Sequence, residues 1–287
     1  MKRRQFLTYG TLGAASIGIL SPYSSPLFAA VPAGLVTQPI GFQSYVLREE
    51  IGKDIIGTLK KMVDYGYQYV EMCSPSGYMG PFEPLAKYSG TELKKIIEDC
   101  GIACNSSHFT LKEMRTNLDE RIDFANQMGL KHFVLSSGLD SPTLDEVKSK
   151  CGELNAMGEK IRKAGMIAGF HNHDVEFKNK FDGKLVYDII LEELDPNLVK
   201  MQFQTQVITL GYKGSTYFKK FPGRFISAHL QDYDTNDTTK EIALGQGISN
   251  WKDFFKASQK GGLEVVYVEM ESNPGTLKDS ITYLKNL

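Results

Sequence analysis

Three short apolar runs of this chain, at residues 165–170, 225–228 and 265–268, end in side chains that can bind a metal or move a proton. The polar residues after the three runs are His171, His173 and Glu176, then His229 and Asp232, and then Glu269 and Glu271. Apolar residues drive a strand into a core, whereas a buried imidazole or carboxylate must be paired, hydrated or bound to a metal. The pattern therefore predicts one site that is assembled from several strand ends.

A repeated joint between helix and strand indicates how these strand ends are brought together. An amphipathic stretch, a glycine and a short apolar run follow one another at Gly66, Gly101, Gly129, Gly165 and Gly262. Glycine takes the left-handed conformation that ends many helices, so each joint predicts a helix that leads into a buried strand. The first four glycines lie about one strand–helix unit apart, and the last gap has room for three units.

Eight strands are predicted from these joints and from the first apolar run. They cover residues 40–46, 68–72, 103–108, 131–136, 166–171, 198–203, 224–230 and 264–269. Alternating strands and helices imply a parallel sheet with right-handed crossovers. Eight units in this length favour an α/β fold of the (β/α)8 TIM barrel type, in a single domain, over an open sheet.

Four of the five histidines fall at the predicted carboxyl ends of strands, which is the face of such a barrel that carries active sites. These four are His108, His171, His173 and His229. Only His132 lies near a strand start, where we expect it to serve stability. Imidazole nitrogens and carboxylate oxygens together suit a divalent cation such as Mn, Mg, Co, Fe or Zn.

The composition excludes some classes of partner. The chain has 287 residues, with 33 basic and 34 acidic side chains and a net charge of -1. A balanced charge without a basic stripe argues against nucleic acid as a partner. The sequence does not settle whether the protein forms a homo-oligomer.

Residues 1–30 are predicted to be an export signal, and residues 31–287 the barrel domain. Basic residues 2–4 precede an apolar stretch at 6–20 and small residues at 29–30, the order found in a cleaved signal peptide. The pair Arg3-Arg4 resembles a twin-arginine signal. Three glycines interrupt the apolar stretch, which is too short for a comfortable span. We expect an exported, periplasmic protein without a stable membrane anchor after cleavage.

The four cysteines are too few for a disulfide scaffold and lack the spacing of a zinc knuckle. Cys100 and Cys104 could meet where a helix turns into a strand, and an oxidising compartment would permit a disulfide there. Two buried free thiols are an equally good interpretation.

Several motifs of the chain resemble those of a known family. They are His171–Phe177 (with the pattern His-Asn-His-x-x-Glu-Phe), Phe221–Phe225, His229–Asp232, residues 41–48 and 245–251, and Val268-Glu269. With these motifs the mature chain is similar, over its whole length, to the xylose isomerase-like TIM barrel family, whose members are usually labelled sugar phosphate isomerases or epimerases. The resemblance implies a small carbohydrate as the substrate.

The resemblance also implies a divalent cation held by Glu176, Gln204, His229 and Glu269. Gln204 stands where the family has an aspartate, and Gln231 stands where a lysine is frequent. An amide oxygen can still coordinate a hard cation but removes one formal charge. The expectation is therefore a weakly held ion, an absent one, or an altered chemistry.

The reaction that the resemblance implies is proton removal next to a carbonyl, with the metal stabilising the enediolate. Glu176 and Glu269 are the expected acid–base pair, and His173 or His108 would shuttle protons. Expected substrate-binding residues are Glu71, His171, Arg48, Tyr78, Asp232, Glu271 and Trp251. Two of these have structural alternatives, since Glu71 could be a hydrogen-bonded strand-end carboxylate and Arg48 could pair with a neighbouring glutamate. Tyr78, in a loop rich in glycine and proline, is a candidate for a mobile lid.

Two alternatives to a sugar isomerase or epimerase remain open. The same proton abstraction would serve elimination or hydration of a 3-keto-glycoside, an activity of some relatives of the family. The neutral residues Gln204 and Gln231 instead favour a sugar-binding protein without turnover.

Overall fold

Eight parallel strands close into a barrel within residues 34–287, the part of the chain that this computed structural model describes. The strands are β1 Ile40–Gln43, β2 Tyr69–Cys73, β3 Ala103–Phe109, β4 His132–Leu135, β5 Ile167–His171, β6 Val199–Gln204, β7 Phe225–Leu230 and β8 Val265–Val268. Each strand pairs with the next, and β8 closes the barrel on β1 through the Ile40–Val266 register. The predicted (β/α)8 fold and its single domain are confirmed.

Helices connect the strands and cover the outside of the barrel. They are α1 Arg48–Lys53, α2 Ile55–Tyr65, α3 Gly90–Asp99, α4 Leu111–Met128, α5 Leu144–Lys163, α6 Val175–Lys178, α7 Val186–Glu193, α8 Gly214–Lys220, α9 Trp251–Gly261 and α10 Leu277–Lys285. Single 3-10 turns lie at Ser44–Leu47, Glu83–Leu85, Thr205–Leu210 and Pro274–Thr276. Two small hairpins lie on the loops, with strands Lys180–Phe181 and Lys184–Leu185, and Asp232–Tyr233 and Glu241–Ile242.

The glycine joints have the conformation that the pattern predicts. Gly66, Gly129 and Gly262 cap their helices with φ values of 100°, 72° and 94°. A side chain with a β-carbon would be strained in this left-handed region, so glycine lets each helix end and turn directly into the next strand.

The first strand is shorter than predicted. It ends at Gln43, and residues 44–47 form a 3-10 turn instead of continuing the strand. The side-chain oxygen of Gln43 accepts a hydrogen bond from the backbone N–H of Tyr45 at 3.1 Å, which caps the turn. This turn brings Tyr45 to the carboxyl end of the barrel.

Two other expectations concern the cysteines and the N-terminus. Cys100 and Cys104 are free thiols, so the structure has the second of the two alternatives. The predicted export signal, residues 1–30, lies outside the described residues. Within residues 34–287, none of the helices combines the length and the apolar character that crossing a membrane requires.

Candidate active site

Polar side chains at alternate positions of the strands form the floor of the site. Because successive side chains of a strand point to opposite faces, residues two apart share the interior of a barrel. Such pairs are Glu71 and Cys73 on β2, Ser106 and His108 on β3, Gln202 and Gln204 on β6, and Ser227 and His229 on β7. These polar residues are buried, so their polar atoms must find partners inside the barrel.

Glu71 is the centre of this floor. Its carboxylate accepts hydrogen bonds from Gln43 Nε2 at 2.7 Å, Ser106 Oγ at 2.6 Å and Gln202 Nε2 at 2.8 Å, and it also contacts His229 Nε2. Burial by itself would raise the pKa of Glu71, but the nearby imidazoles of His108 and His229 and the hydrogen bonds lower it to about 2. Glu71 is therefore an ionised, fully partnered group.

His229 lies between two carboxylates. Its Nε2 contacts Glu71, and its Nδ1 is 3.1 Å from Glu269 Oε2. Burial would lower the pKa of His229, but the charges of Glu269 and Glu71 raise it to about 10. The same interactions lower the pKa of Glu269 against the opposing effect of burial. A buried row of carboxylate, imidazolium and carboxylate results.

Three further imidazoles lie beside this row and remain neutral. Burial lowers the pKa of His108, His171 and His173, and the proximity of other imidazoles adds to the effect. The rings of His108 and His171 lie 5.1 Å and 4.5 Å from the ring of His229, measured between centroids. Neutral imidazoles can accept a proton or bind a metal.

A cavity of about 270 Å³ opens above the floor at the carboxyl ends of the strands. Its walls are Tyr45, Cys73, Tyr78, His108, Ser136, Ser137, His171, His173, Gln204, Gln206, Gln231, Glu269 and Glu271. Hydroxyl, amide, imidazole and carboxylate groups thus dominate the lining, and none of these described residues is a lysine or an arginine. Such a surface suits a neutral, strongly hydrogen-bonding ligand.

Three of the four predicted metal ligands come together. The side-chain nitrogen of Gln204 contacts Glu269 Oε2, the same oxygen that lies next to His229 Nδ1. Glu176 lies apart from them: it is fully buried, is not part of the cavity wall, and accepts a hydrogen bond from the backbone N–H of His173 at 2.7 Å. Burial raises the pKa of Glu176 to about 8.

The residues present fit a divalent cation. His229 Nδ1 is buried and has no hydrogen-bond partner among residues 34–287, although it faces a carboxylate oxygen and an amide. One nitrogen each of His108, His171 and His229 lie within 4.8 Å of one another. Imidazole, carboxylate and amide groups are a mixed donor set that several divalent ions accept, provided that the amide of Gln204 turns its oxygen inward. Because a metal ligand must be unprotonated, His229 would lose a proton on binding.

Two of the other predicted substrate-binding residues lie in the cavity wall, and a third, Arg48, contacts the wall residue Tyr45. Tyr78 and Glu271 form part of the cavity wall, and Tyr78 packs edge-on against Tyr45 at 6.1 Å between ring centroids. Arg48 lies 4.3 Å from the centre of the Tyr45 ring and donates to the Tyr45 carbonyl at 2.9 Å. It thus contacts Tyr45 and not the neighbouring glutamate that was the alternative.

Asp232 and Trp251 are placed elsewhere, in a buried hydrogen-bonded turn. The Asp232 carboxylate accepts from Trp251 Nε1 at 2.9 Å and from the backbone N–H groups of Gly245, Gly247 and Ser249 at 3.0–3.2 Å. Both side chains are almost fully buried, and neither belongs to the cavity wall. Asp232 therefore holds the 245–251 loop in place.

The sequence interpretation did not identify several site residues. They are Gln43, Ser106 and Gln202 in the floor, and Cys73, Ser136, Ser137 and Gln206 in the wall. The signal that was available for Gln202 is its position two residues before Gln204, which places both on the interior face of β6.

Comparison with known proteins agrees with the barrel fold. The model of the family described as xylose isomerase-like TIM barrel matches residues 59–287, which is more than half of the chain. No curated protein has a significantly similar sequence.

Solved structures share the fold at low sequence identity. A sugar phosphate isomerase/epimerase from Parabacteroides distasonis is 23% identical, with a TM-score of 0.73 over 91% of this chain and 98% of that one. A xylose isomerase-like TIM barrel protein from Mycobacterium smegmatis in complex with magnesium is 14% identical, with a TM-score of 0.65 over 88% and 97%. An L-ribulose 3-epimerase is 15% identical, with a TM-score of 0.65 over 86% and 93%.

Proposed function

The chain belongs to the xylose isomerase-like TIM barrel family, and within it we propose that the protein is a sugar isomerase or epimerase that moves a proton at a carbon next to a carbonyl. The observation that carries this proposal is that the carboxylate of Glu269 and three imidazoles line the same cavity. Glu269 is held ionised by His229, while His108, His171 and His173 line the same cavity as neutral bases. Proton transfer at carbon requires such an acceptor within reach of the substrate.

The acid–base roles follow from where the groups lie. Glu269 stands at the end of β8, whereas His108 belongs to β3 and His173 follows β5. The sugar would therefore meet proton acceptors on more than one wall of the cavity. A base on one face of the reacting carbon and a proton donor on the other would invert that carbon.

The developing negative charge on the sugar oxygen needs stabilisation. His229 contributes a buried positive charge beside Glu269, in surroundings where water screens it little. A divalent cation, when bound by His171, Gln204, His229 and Glu269, would displace the proton of His229 and supply Lewis-acid polarisation of the carbonyl in its place. A protein of the same fold from Mycobacterium smegmatis has been solved in complex with magnesium.

We infer that the sugar is not phosphorylated. Phosphate groups are bound by arginine, lysine or clustered backbone N–H groups, whereas the described wall carries two carboxylates, Glu269 and Glu271, and no basic side chain other than histidine. Hydroxyl-rich neutral ligands suit the amides and hydroxyls of this wall. Tyr45 and Tyr78 would cover the apolar face of the sugar.

Solvent exchange tests the proposed reaction. The purified protein is incubated in deuterated buffer with a panel of neutral aldoses and ketoses, in separate samples with Mn, Mg, Co, Zn or a chelator. Proton NMR should show loss of the signal next to the carbonyl and the appearance of an epimer or isomer. The Glu269→Gln variant is the matched control, because it keeps the size of the side chain and removes the base.

The outcome separates the proposed reaction from its alternatives. Release of an aglycone from a 3-keto-glycoside would instead identify a lyase, and calorimetric sugar binding without any exchange would identify a binding protein. Absence of exchange across the panel with every ion would refute the isomerase proposal.

We also propose that the reaction takes place outside the cytoplasm. The basic residues, apolar stretch and small residues of the N-terminus support this location. Fractionation of producing cells should place the processed protein in the periplasm, and replacement of Arg3 and Arg4 by lysine should retain it in the cytoplasm.

A further inference from the structure

One buried amide, that of Gln202, contacts two imidazoles of the cavity at once. Its Oε1 lies 2.6 Å from His108 Nε2 and 2.9 Å from His171 Nδ1. Its Nε2 donates to Glu71 Oε1 at 2.8 Å and to Ser227 Oγ at 2.9 Å. Gln202 has no exposed surface, so it acts only through these four neighbours.

The orientation of this amide is determined by Glu71. An ionised carboxylate can only accept hydrogen bonds, so the amide nitrogen of Gln202 must face it. With the opposite orientation, the amide oxygen would lie 2.8 Å from a carboxylate oxygen, with no proton between them. The amide oxygen of Gln202 therefore faces the two histidines.

An amide oxygen cannot donate, so both histidine nitrogens that face it must carry a proton. These are Nε2 of His108 and Nδ1 of His171. His108 Nε2 also lies 3.3 Å from Glu71 Oε2, a second acceptor that requires the same proton. The second nitrogen of each ring makes no hydrogen bond to an acceptor among the described side chains, so one proton satisfies each ring.

The opposite nitrogens are His108 Nδ1 and His171 Nε2. Neither is among the buried polar atoms that lack a partner in residues 34–287, and neither has a hydrogen bond to a described side chain. Both rings form part of the cavity wall. These lone pairs are thus directed at whatever occupies the cavity.

We propose that Gln202 is a positioning residue that selects the Nε2–H tautomer of His108 and the Nδ1–H tautomer of His171, so that both rings present an unprotonated nitrogen to the bound sugar or ion. The inference extends the proposed function, on which it rests for the identity of the ligand. The sequence gives only a weak indication of this role of Gln202, because a neutral residue on the interior face of a strand has no chemical role of its own.

Nitrogen NMR of the histidine rings tests the proposal without turnover. The chain has five histidines, and two-bond proton–nitrogen correlation spectra of the chelator-treated, histidine-labelled protein near neutral pH distinguish the two tautomers and the charged form. The expected spectrum shows His108 protonated only at Nε2 and His171 only at Nδ1, assigned by comparison with His108→Gln and His171→Gln variants. The opposite tautomer or a charged ring at either position would overturn the proposal.

Two variants test whether Gln202 is the cause. Gln202→Met keeps the size of the side chain and removes the acceptor, so His108 and His171 should change to mixed tautomers. Ser227→Ala is the matched control, because it removes a partner of the same amide but leaves the acceptor in place, and its tautomers should stay as in the wild type. Unchanged tautomers in Gln202→Met would count against the proposal.

Kinetics then connect the tautomers with the reaction. Loss of a group that orients a ligand or base commonly costs about 10- to 100-fold in activity or metal affinity, so Gln202→Met should lower the exchange rate by about that factor. Should Gln202→Met not fold, the wild-type spectrum alone still decides the tautomers. A wild type with the expected tautomers but no exchange of any sugar would contradict the proposed function and leave the role of Gln202 intact.

Discussion

Replacing Glu71 by glutamine should destabilise the barrel through its floor. Four donors converge on this carboxylate, from Gln43, Ser106, Gln202 and His229. Glutamine has one oxygen and one NH2 group, so at least one of the four donors would face a donor instead of an acceptor. Each buried polar group left without a partner costs about 1–3 kcal/mol, and more when it is charged, as His229 is.

The pKa of Glu71 gives a second value for the loss of unfolding free energy in Glu71→Gln. This pKa lies at about 2 in the folded protein against an ordinary value of 4.5 for glutamate, and such a lowering corresponds to about 3 kcal/mol. Glu71 is fully buried, so solvent does not reduce this value by screening. Both routes predict that Glu71→Gln lowers the free energy of unfolding by about 3 kcal/mol at neutral pH.

The stability difference between the wild type and Glu71→Gln should become smaller at acid pH. A carboxyl whose pKa is lowered by folding stabilises the protein above its unfolded pKa, and this contribution is lost as the pH falls through the folded pKa. The difference between wild type and Glu71→Gln should therefore be complete above about pH 5 and should shrink as the pH falls from 4.5 towards 2. Urea unfolding followed by circular dichroism, at a series of pH values from neutral to acid, measures it.

The matched control is Glu264→Gln at the opposite end of the barrel. Glu264 also faces a histidine, His132, at 3.2 Å, but its side chain is half exposed. A pair whose carboxylate is half exposed is screened by water and contributes about 0–1 kcal/mol, so this variant should remain close to the wild type. If Glu71→Gln were as stable as Glu264→Gln at neutral pH, the buried charge network would not stabilise the fold, and the reasoning would be refuted.

Three further predictions concern the cavity and its surroundings. Glu269→Gln should lower the sugar exchange rate at least about 100-fold, as loss of a general base does, with unchanged circular dichroism; an active variant would exclude Glu269 as the base. Gln204→Asp restores a negative charge beside Glu269, so calorimetric titration with Mn should show tighter binding than in the wild type, and an unchanged affinity would exclude this position from the ion site. Asp232→Asn removes the carboxylate that holds the 245–251 loop, so the free energy of unfolding should fall by about 1–3 kcal/mol. The fluorescence of Trp251, the single tryptophan of the chain, should shift to longer wavelength. An unshifted emission maximum would argue against this role of Asp232.

Buried charge explains why the site combines stability with reactivity. A carboxylate or imidazolium in a barrel interior is costly unless it is paired and hydrogen-bonded. Here Glu71 neutralises His229 from below, and the negative charge of Glu269 faces the cavity. Glu71 and His229 in the floor therefore keep Glu269 ionised in the cavity wall, where the proposed reaction requires a base.

The order of strands and helices could be predicted from the sequence alone. Apolar runs and the glycines that precede them are local signals, because a strand needs burial and a helix end needs a residue that tolerates a positive φ. Since all parallel strands of a barrel point the same way, the convergence of His108, His171 and His229 follows from their positions at strand ends. The sequence in this way determined the fold, the face of the site and its histidines.

The division of labour among the polar groups was decided only by the tertiary structure. Glu176 and Glu71 both lie close to strand ends in the sequence, yet the first is turned away by the short helix α6 and the second is saturated by donors from four other strands. Asp232 finds its partners 13–19 residues away, in a loop. The direction of a side chain depends on strand register and on neighbours that are remote in sequence, so no local pattern distinguishes a carboxylate that meets a substrate from one that holds the barrel together.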